Sequence, residues 1–253
     1  MKKKILYCLA LILIALVLDQ WLKIWVKTTF YYREEHDVMG SWFKLHFIEN
    51  NGFAFGTEFG GRMGKLFLTL FRLVAVSIMG VYIYSLAKST KVKYRLGYLM
   101  MISLIMAGAL GNIIDSVFYG MIFSESPLHG QGVAVMFPEG GGYESIFHGK
   151  VVDMLYFPLY KGFVPDWVPV MGGDYFEFFR PVFNIADSCI TIGVLAIILF
   201  YRRELKVSGK RDENPKQEAA IAAVDTGAHD TEQGTMPSTD EEAERSTEQP
   251  PAS

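Results

Sequence analysis

Three short stretches place carboxylates inside apolar sequence: GALGNIIDS (108–116), HGKVVDMLYFP (148–158) and FNIADSCITIG (183–193). Their acids are Asp115, Asp153 and Asp187. A fourth, Asp19, stands in DQWLK four residues before Lys23. Two carboxylates that share a site cannot both ionise freely, so one pKa rises and a proton is shared. Such a pair can work on water. The ionised member takes water's proton while the protonated member polarises a carbonyl. That is the chemistry of peptide-bond hydrolysis.

Other catalytic patterns are missing from the sequence. It contains no G-x-S-x-G, no H-E-x-x-H and no glycine-loop G-K-[ST]. His129 and His148 share one loop, but a metal site needs more ligands at closer spacing, so no metal is expected. The triple glycine at 140–142 reads as a flexible turn. Cys8 and Cys189 fall in different apolar stretches without metal or redox spacing, so no disulfide is expected.

The elements that must position these acids are apolar. Crossing a bilayer takes roughly 20 apolar residues of helix. Four stretches qualify: about 5–26, 66–86, 96–118 and 182–201. Arg72 interrupts the second. The chain is therefore expected to be an all-α membrane protein with four transmembrane helices. Basic clusters precede the first stretch (Lys2, Lys3, Lys4), fill the loop after the second (Lys88, Lys91, Lys93, Arg95) and follow the fourth (Arg202, Arg203, Lys206). The positive-inside rule then puts both termini in the cytoplasm. Connections 28–65 and 119–181 face outward. MKKK plus an apolar run resembles a secretory signal, but no small-x-small site follows, so an uncleaved anchor is expected.

Residues 204–253 hold twelve acidic and five basic residues and no aromatic. Such a segment cannot bury enough apolar surface to offset its chain entropy and is expected to be a disordered cytoplasmic tail. The domain is then 1–203, with an outward insertion at about 119–150. SWFKLHFIEN within 30–56 alternates enough to predict a small β-like element.

Ionisable groups within a span usually mark function. Asp19 and Lys23 are spaced i, i+4 with the acid first, the better order for an ion pair. They are expected to neutralise each other near the outer interface, with Lys23 snorkelling. Asn112 and Asp115 are i, i+3, as are Asn184 and Asp187, so N-I-x-D-S occurs twice. One copy leaves the membrane and the other enters it, which puts both at similar depth near the outer face. Gly108 and Gly111 allow close helix approach there. Asp115, Asp153 and Asp187 have no cation at helical spacing, and these residues alone do not rank Asp115 against Asp153.

The motifs together resemble lipoprotein signal peptidase, or signal peptidase II, an aspartyl peptidase of the bacterial cytoplasmic membrane. DQWLK (19–23), NNGFAFG (50–56), GALGNIID (108–115), VVDM (151–154) and FNIADSCITIG (183–193) are similar, in order, to the family's five motifs. The resemblance spans about residues 15–203. It implies cleavage of diacylglyceryl-modified prolipoproteins on the N-terminal side of the lipidated cysteine, by water activated on a dyad of Asp153 and Asp187. Asp19, Lys23, Asn50, Gly52, Gly108, Asn112, Asp115, Asn184 and Ala186 match positions that line or support the family's site. It implies a β cradle on the outer face, no cofactor and no nucleic-acid partner. The partners are lipid-modified substrates and membrane lipids.

The chain departs from the family in two places. Ser116 stands where the family usually has Arg after G-N-x-x-D, and Lys150 or Arg180 could supply that charge. The Asp115–Asp153 link is about thirty residues longer, and is expected to be either a flexible lid or an inert surface loop. A four-span ion-coupled transporter would place acids nearer the midplane. A non-catalytic assembly factor would use them only for packing.

Overall fold

The computed structural model describes residues 2–51, 61–89, 94–128, 131–158, 160–163, 165–167, 169, 172–178 and 181–206. Gly52, Arg180 and nearly all of the acidic tail lie outside them.

Among the described residues, three helices have the length and apolarity to cross a membrane: α1 (Lys2–Thr29), α2 (Gly61–Lys88) and α3 (Leu96–Ile114) with its continuation. α3 runs on through a π-helical segment (Asp115–Tyr119) into a single turn, α4 (Gly120–Ile122). The last helix, α5 (Ile185–Phe200), is apolar but has only 16 residues. At 1.5 Å per residue it is about 24 Å long, short of the roughly 30 Å hydrocarbon layer. Val182 and Phe183, expected at the start of the fourth span, are instead a strand, and Asn184 caps the helix after them.

α3 is the central helix, packed by α1, α2 and α5. Tyr98, Leu99 and Ile102 of α3 form one buried cluster with Cys8, Ile83, Leu86 and Ile197. The outward faces of the other helices remain apolar: Leu13 and Trp21 on α1, Phe67 and Val81 on α2, Leu195 and Leu199 on α5. Such wide exposed apolar faces need an apolar solvent around them. Cys8 and Cys189 are buried free thiols.

The β-like element is an antiparallel sheet. β1 (Glu35–Met39), β2 (Phe43–Asn50), β3 (Val151–Tyr156) and β6 (Val182–Phe183) pair in the order β1-β2-β3-β6. β4 (Tyr160–Phe163) and β5 (Tyr175–Phe178) form a separate hairpin pair. β2 and β3 are registered with Ile48 opposite Asp153 and Asn50 opposite Val151. Side chains alternate faces along a strand, so Asn50 and Asp153 are diagonal neighbours on one face. Val26, Phe30, Phe47, Tyr119, Phe123, Val152 and Met154 bury the sheet against the ends of α1 and α3.

The insertion at about 119–150 begins in the continuation of α3. Its described residues are stitched to the end of α3. Glu144 N–H donates to Gly120 O, Phe147 N–H to Val117 O and Gly149 N–H to Ser116 O. Phe123 is bridged to Met136, and Leu128 to Tyr32. Paired backbone satisfies groups that would otherwise be orphaned on burial. Gly149 must be glycine at this seam, because a Cβ there would meet Asp115 O at 2.1 Å.

Candidate active site

Asp153 reaches the site from a strand and Asp187 from the first turn of a helix. Asn184 sets the second position. Its Oδ1 accepts from Asp187 N–H at 2.9 Å, and the Asp187 carboxylate accepts in return from Asn184 N–H at 3.4 Å. This reciprocal capping box fixes Asp187 at the third helical position. Asp187 remains half-buried, whereas Asp153 is buried.

Asparagines bind both carboxylates. Asn184 Nδ2 donates to Asp153 Oδ1 at 2.7 Å, and Asn50 Nδ2 to Asp153 Oδ2 at 3.3 Å. Asn112 Nδ2 donates to Asp187 Oδ1 at 2.8 Å. Asn184 Nδ2 also donates to Asn112 Oδ1 at 3.1 Å. The two N-I-x-D-S stretches therefore meet through their asparagines, at the same level of the bundle.

Asp19, Lys23 and Asp115 form a second group, joined to this one through Asn112. Lys23 Nζ lies 2.9 Å from Asp19 Oδ2, 2.8 Å from Asp115 Oδ2 and 2.9 Å from Asn112 Oδ1. The i, i+4 pair forms as expected, but Lys23 is fully buried and does not snorkel. Its second carboxylate explains why: an ammonium held between two acids keeps its charge out of water. Asp115 is thus paired, by a cation on another helix. Among the described residues, neither Asp153 nor Asp187 forms a salt bridge.

Asp115 has further structural work. Its Oδ2 accepts from Val152 N–H at 3.3 Å and its Oδ1 from Gln20 Nε2 at 2.8 Å. Asn184 Nδ2 takes Val152 O at 3.3 Å. Among the described residues, β6 pairs with β3 only at Leu155 and Tyr156, so these side chains satisfy the strand edge beside Asp153. Asp19 Oδ1 accepts from Ala186 N–H at 2.8 Å, fixing the start of α5.

Small residues make this approach possible. A Cβ on Gly108 would lie 2.2 Å from Ala186 O, and one on Gly111 would lie 2.6 Å from Asp19 Oδ2. Gly111 and Ala186 together bring α1, α3 and α5 to one point.

Asp153 lies in a sheet outside the membrane-spanning helices. Burial, then the negative charge of Asp187, pushes its pKa up to about 7, against the opposing pull of Asn50, Lys23 and Asn184. Burial and a neighbouring acid thus both favour the protonated form of Asp153.

The sequence left several contributors without a role. Gln20 bonds Asp19, Gly111 O and Asp115, and accepts from Tyr119 Oη at 3.1 Å. Its adjacency to Asp19 was the available signal. Arg72, the cation in the second apolar stretch, couples electrostatically to both Asp187 and Asp153. Glu49 is held by Lys27, by Ser126 Oγ at 2.7 Å and by Lys150 at 3.4 Å. Burial raises its pKa, but these partners, Lys27 foremost, bring it below the usual carboxylate range. Lys150 thus serves Glu49, and Ser116 Oγ donates to Asn112 O at 2.9 Å on its own helix.

The family model for signal peptidase (SPase) II matches residues 11–202. The chain is 55% identical over 205 residues to a lipoprotein signal peptidase of Porphyromonas gingivalis, covering 80% of this chain and 86% of that one. It is 40% identical over 212 residues to a lipoprotein signal peptidase of Amoebophilus asiaticus, covering 81% and 82%. A solved structure described as a bacterial membrane enzyme covers 76% of the chain and 90% of its own, at 24% identity and TM-score 0.49. The chain belongs to the signal peptidase II family, a family of aspartic peptidases.

Proposed function

We propose that Asp153 and Asp187 are the dyad with which this signal peptidase removes signal peptides from lipid-modified prolipoproteins. The observation that carries the assignment is the division of the four acids. Asp19 and Asp115 share Lys23, while Asp153 and Asp187 share asparagines and repel each other. Only the first pair has a cation between its members.

In the resting enzyme Asp153 holds the proton. Asp187, the more exposed of the two, takes a proton from water as the oxygen attacks the scissile carbonyl. Asp153 donates a hydrogen bond to the developing oxyanion and then supplies a proton to the leaving amine. Asn112 and Asn184 hold the carboxylates in place as charge moves between them.

α5 completes a four-span bundle, with Trp42, Phe43, Phe157 and Phe183 as an aromatic shelf beside its start. Phe43 and Phe157 stack at 4.7 Å and Phe157 and Phe183 at 5.7 Å. Such rings favour the membrane–water boundary. The enzyme is then a protein of the bacterial inner membrane with both termini in the cytoplasm and the dyad near the outer face. Lipid chains on the substrate cysteine hold the scissile bond at that depth. The domain is 1–203, followed by the acidic tail 204–253.

The test is cleavage of a diacylglyceryl-modified prolipoprotein by purified protein in lipid, comparing wild type with Asp115→Asn, Asp153→Asn and Asp187→Asn. Complete loss only in the latter two is expected. Full turnover by folded Asp153→Asn, with loss in Asp115→Asn, would move the dyad to the two N-I-x-D-S stretches.

A further inference from the structure

The last residue of β2, Asn50, donates to Asp153. Chain segments fray first at their ends, so this bond depends on what ties the end of β2 down. Glu49 supplies the tie from the preceding position. Side chains alternate faces along a strand, which turns Glu49 away from the face that carries Asn50 and Asp153. Its carboxylate is buried and is bound on both oxygens. Lys27 Nζ, fully buried in the last turn of α1, pairs with Oε1. Ser126 Oγ, in the insertion, donates to the same oxygen at 2.7 Å and accepts from Lys27 Nζ at 2.8 Å. Lys150 Nζ, just before β3, lies 3.4 Å from Oε2.

Two aromatic rings of the insertion close the cluster. Lys27 Nζ lies 5.4 Å from the Phe123 ring centre and 5.1 Å from that of Tyr143, and Lys150 Nζ lies 5.3 Å from the latter. A cation at this range is attracted by the face of a ring. Lys150 N–H donates to Tyr143 Oη at 2.6 Å. The acid, two ammoniums, hydroxyl and rings therefore join the end of α1, the insertion, β2 and the start of β3 at one point. Glu49 stands opposite Val152 in the β2–β3 ladder and Asn50 opposite Val151. The joint thus lies at the ladder end that carries Asn50 toward Asp153.

We propose that Glu49 is a positioning residue for the dyad: held by Lys27, Ser126 and Lys150, it keeps Asn50 within donating distance of Asp153, and the insertion is the strut that holds Glu49. This rests on Asp153 being a member of the dyad. Asp153 is also faced by Asn184 and Asp187 at the start of α5, by Lys23 of α1 and by Arg72 of α2. A neutral change at Ser126 leaves all of these charges in place. Losing the Asn50 bond removes a contact that favours the ionised carboxylate, so Asp153 keeps its proton to higher pH. Losing the Glu49 charge, acting through space alone, would have the opposite sign.

The test is kcat against pH for cleavage of a diacylglyceryl-modified prolipoprotein by the purified full chain in lipid. Wild type is compared with Asn50→Ala, Glu49→Gln, Ser126→Ala and each of the last two combined with Asn50→Ala. Glu49→Gln should move the alkaline limb the same way as Asn50→Ala, upward by about half a pH unit, the order of one hydrogen bond to a carboxylate. Ser126→Ala should move it in the same direction by less. Neither should add to the shift of Asn50→Ala. Glu139→Gln, at an exposed acid of the insertion, should leave the limb in place. Ser126→Ala keeps the Lys27–Glu49 pair, so the test remains decisive if Glu49→Gln misfolds. A merely structural role would lower the melting temperature and leave the limb where it is. That result, a downward shift in Glu49→Gln, or shifts that add to that of Asn50→Ala, would overturn the proposal. An unmoved limb in Asn50→Ala itself would overturn the dyad reading, and this one with it.

Discussion

Asn184 donates from its side chain to Asn112 at 3.1 Å, and each of the two also donates to a different aspartate. Asn184 takes Asp153 and Asn112 takes Asp187. An amide offers two donors and an acceptor, so two neighbouring amides can hold two repelling carboxylates without neutralising either. A lysine in either place would pair with the acids instead.

The dyad assignment predicts that Asp153→Asn and Asp187→Asn each lower kcat at least about 10³-fold, within the range for a lost general acid or base. Neither should lower thermal stability by more than a few degrees. Cleavage kinetics and a melting curve on the same preparations check this.

Asp115 should behave differently. Asp115→Asn removes one of the two charges on fully buried Lys23 and weakens the cap on Val152 N–H. Breaking a buried pair typically costs about 3–5 kcal/mol, with Asp19 moderating the loss. The expected outcome is a lower melting temperature with reduced but measurable cleavage. Lys23→Met, which leaves two buried acids facing each other, should be the more damaging.

Cleavage should fall on the alkaline side as Asp153 loses its proton, with an apparent midpoint near the value of about 7 to which burial and Asp187 raise it. Asn50 holds that pKa down by bonding the charged form, so Asn50→Ala should move the limb upward. The same shift bears on stability. A carboxylate whose folded pKa is raised favours the folded state at low pH and loses that contribution as pH rises through about 7. Asp153→Asn should flatten this pH dependence in melting curves taken between pH 4 and 8.

Gly108 and Gly111 should not tolerate a methyl group. Gly108→Ala puts a Cβ 2.2 Å from Ala186 O, a backbone atom that moves only with α5. Overpacking of this kind costs about 1–3 kcal/mol, and here it also displaces Asp187. Loss of cleavage should therefore exceed what the drop in melting temperature explains. Gly140→Ala, with open space around it, is the matched control.

The sequence by itself determined the inventory: four acids in apolar surroundings, two asparagines at the same spacing from two of them, small residues beside them, and helices long enough for a bilayer. These follow from local composition and period, which each stretch carries alone. The short sheet was also legible in SWFKLHFIEN, because alternation needs only neighbours. Tertiary structure decided which acids have partners. Lys23 is near Asp19 in sequence, but it meets Asp115 only because Gly111 and Ala186 let α1, α3 and α5 close together. Asp153 gains Asn50 from strand register and Asn184 from a helix cap, relations that no spacing along one segment encodes. The insertion likewise read as polar and glycine-rich, yet its backbone is tied to the end of α3. Composition reports what a segment cannot bury; only packing shows where its hydrogen bonds go.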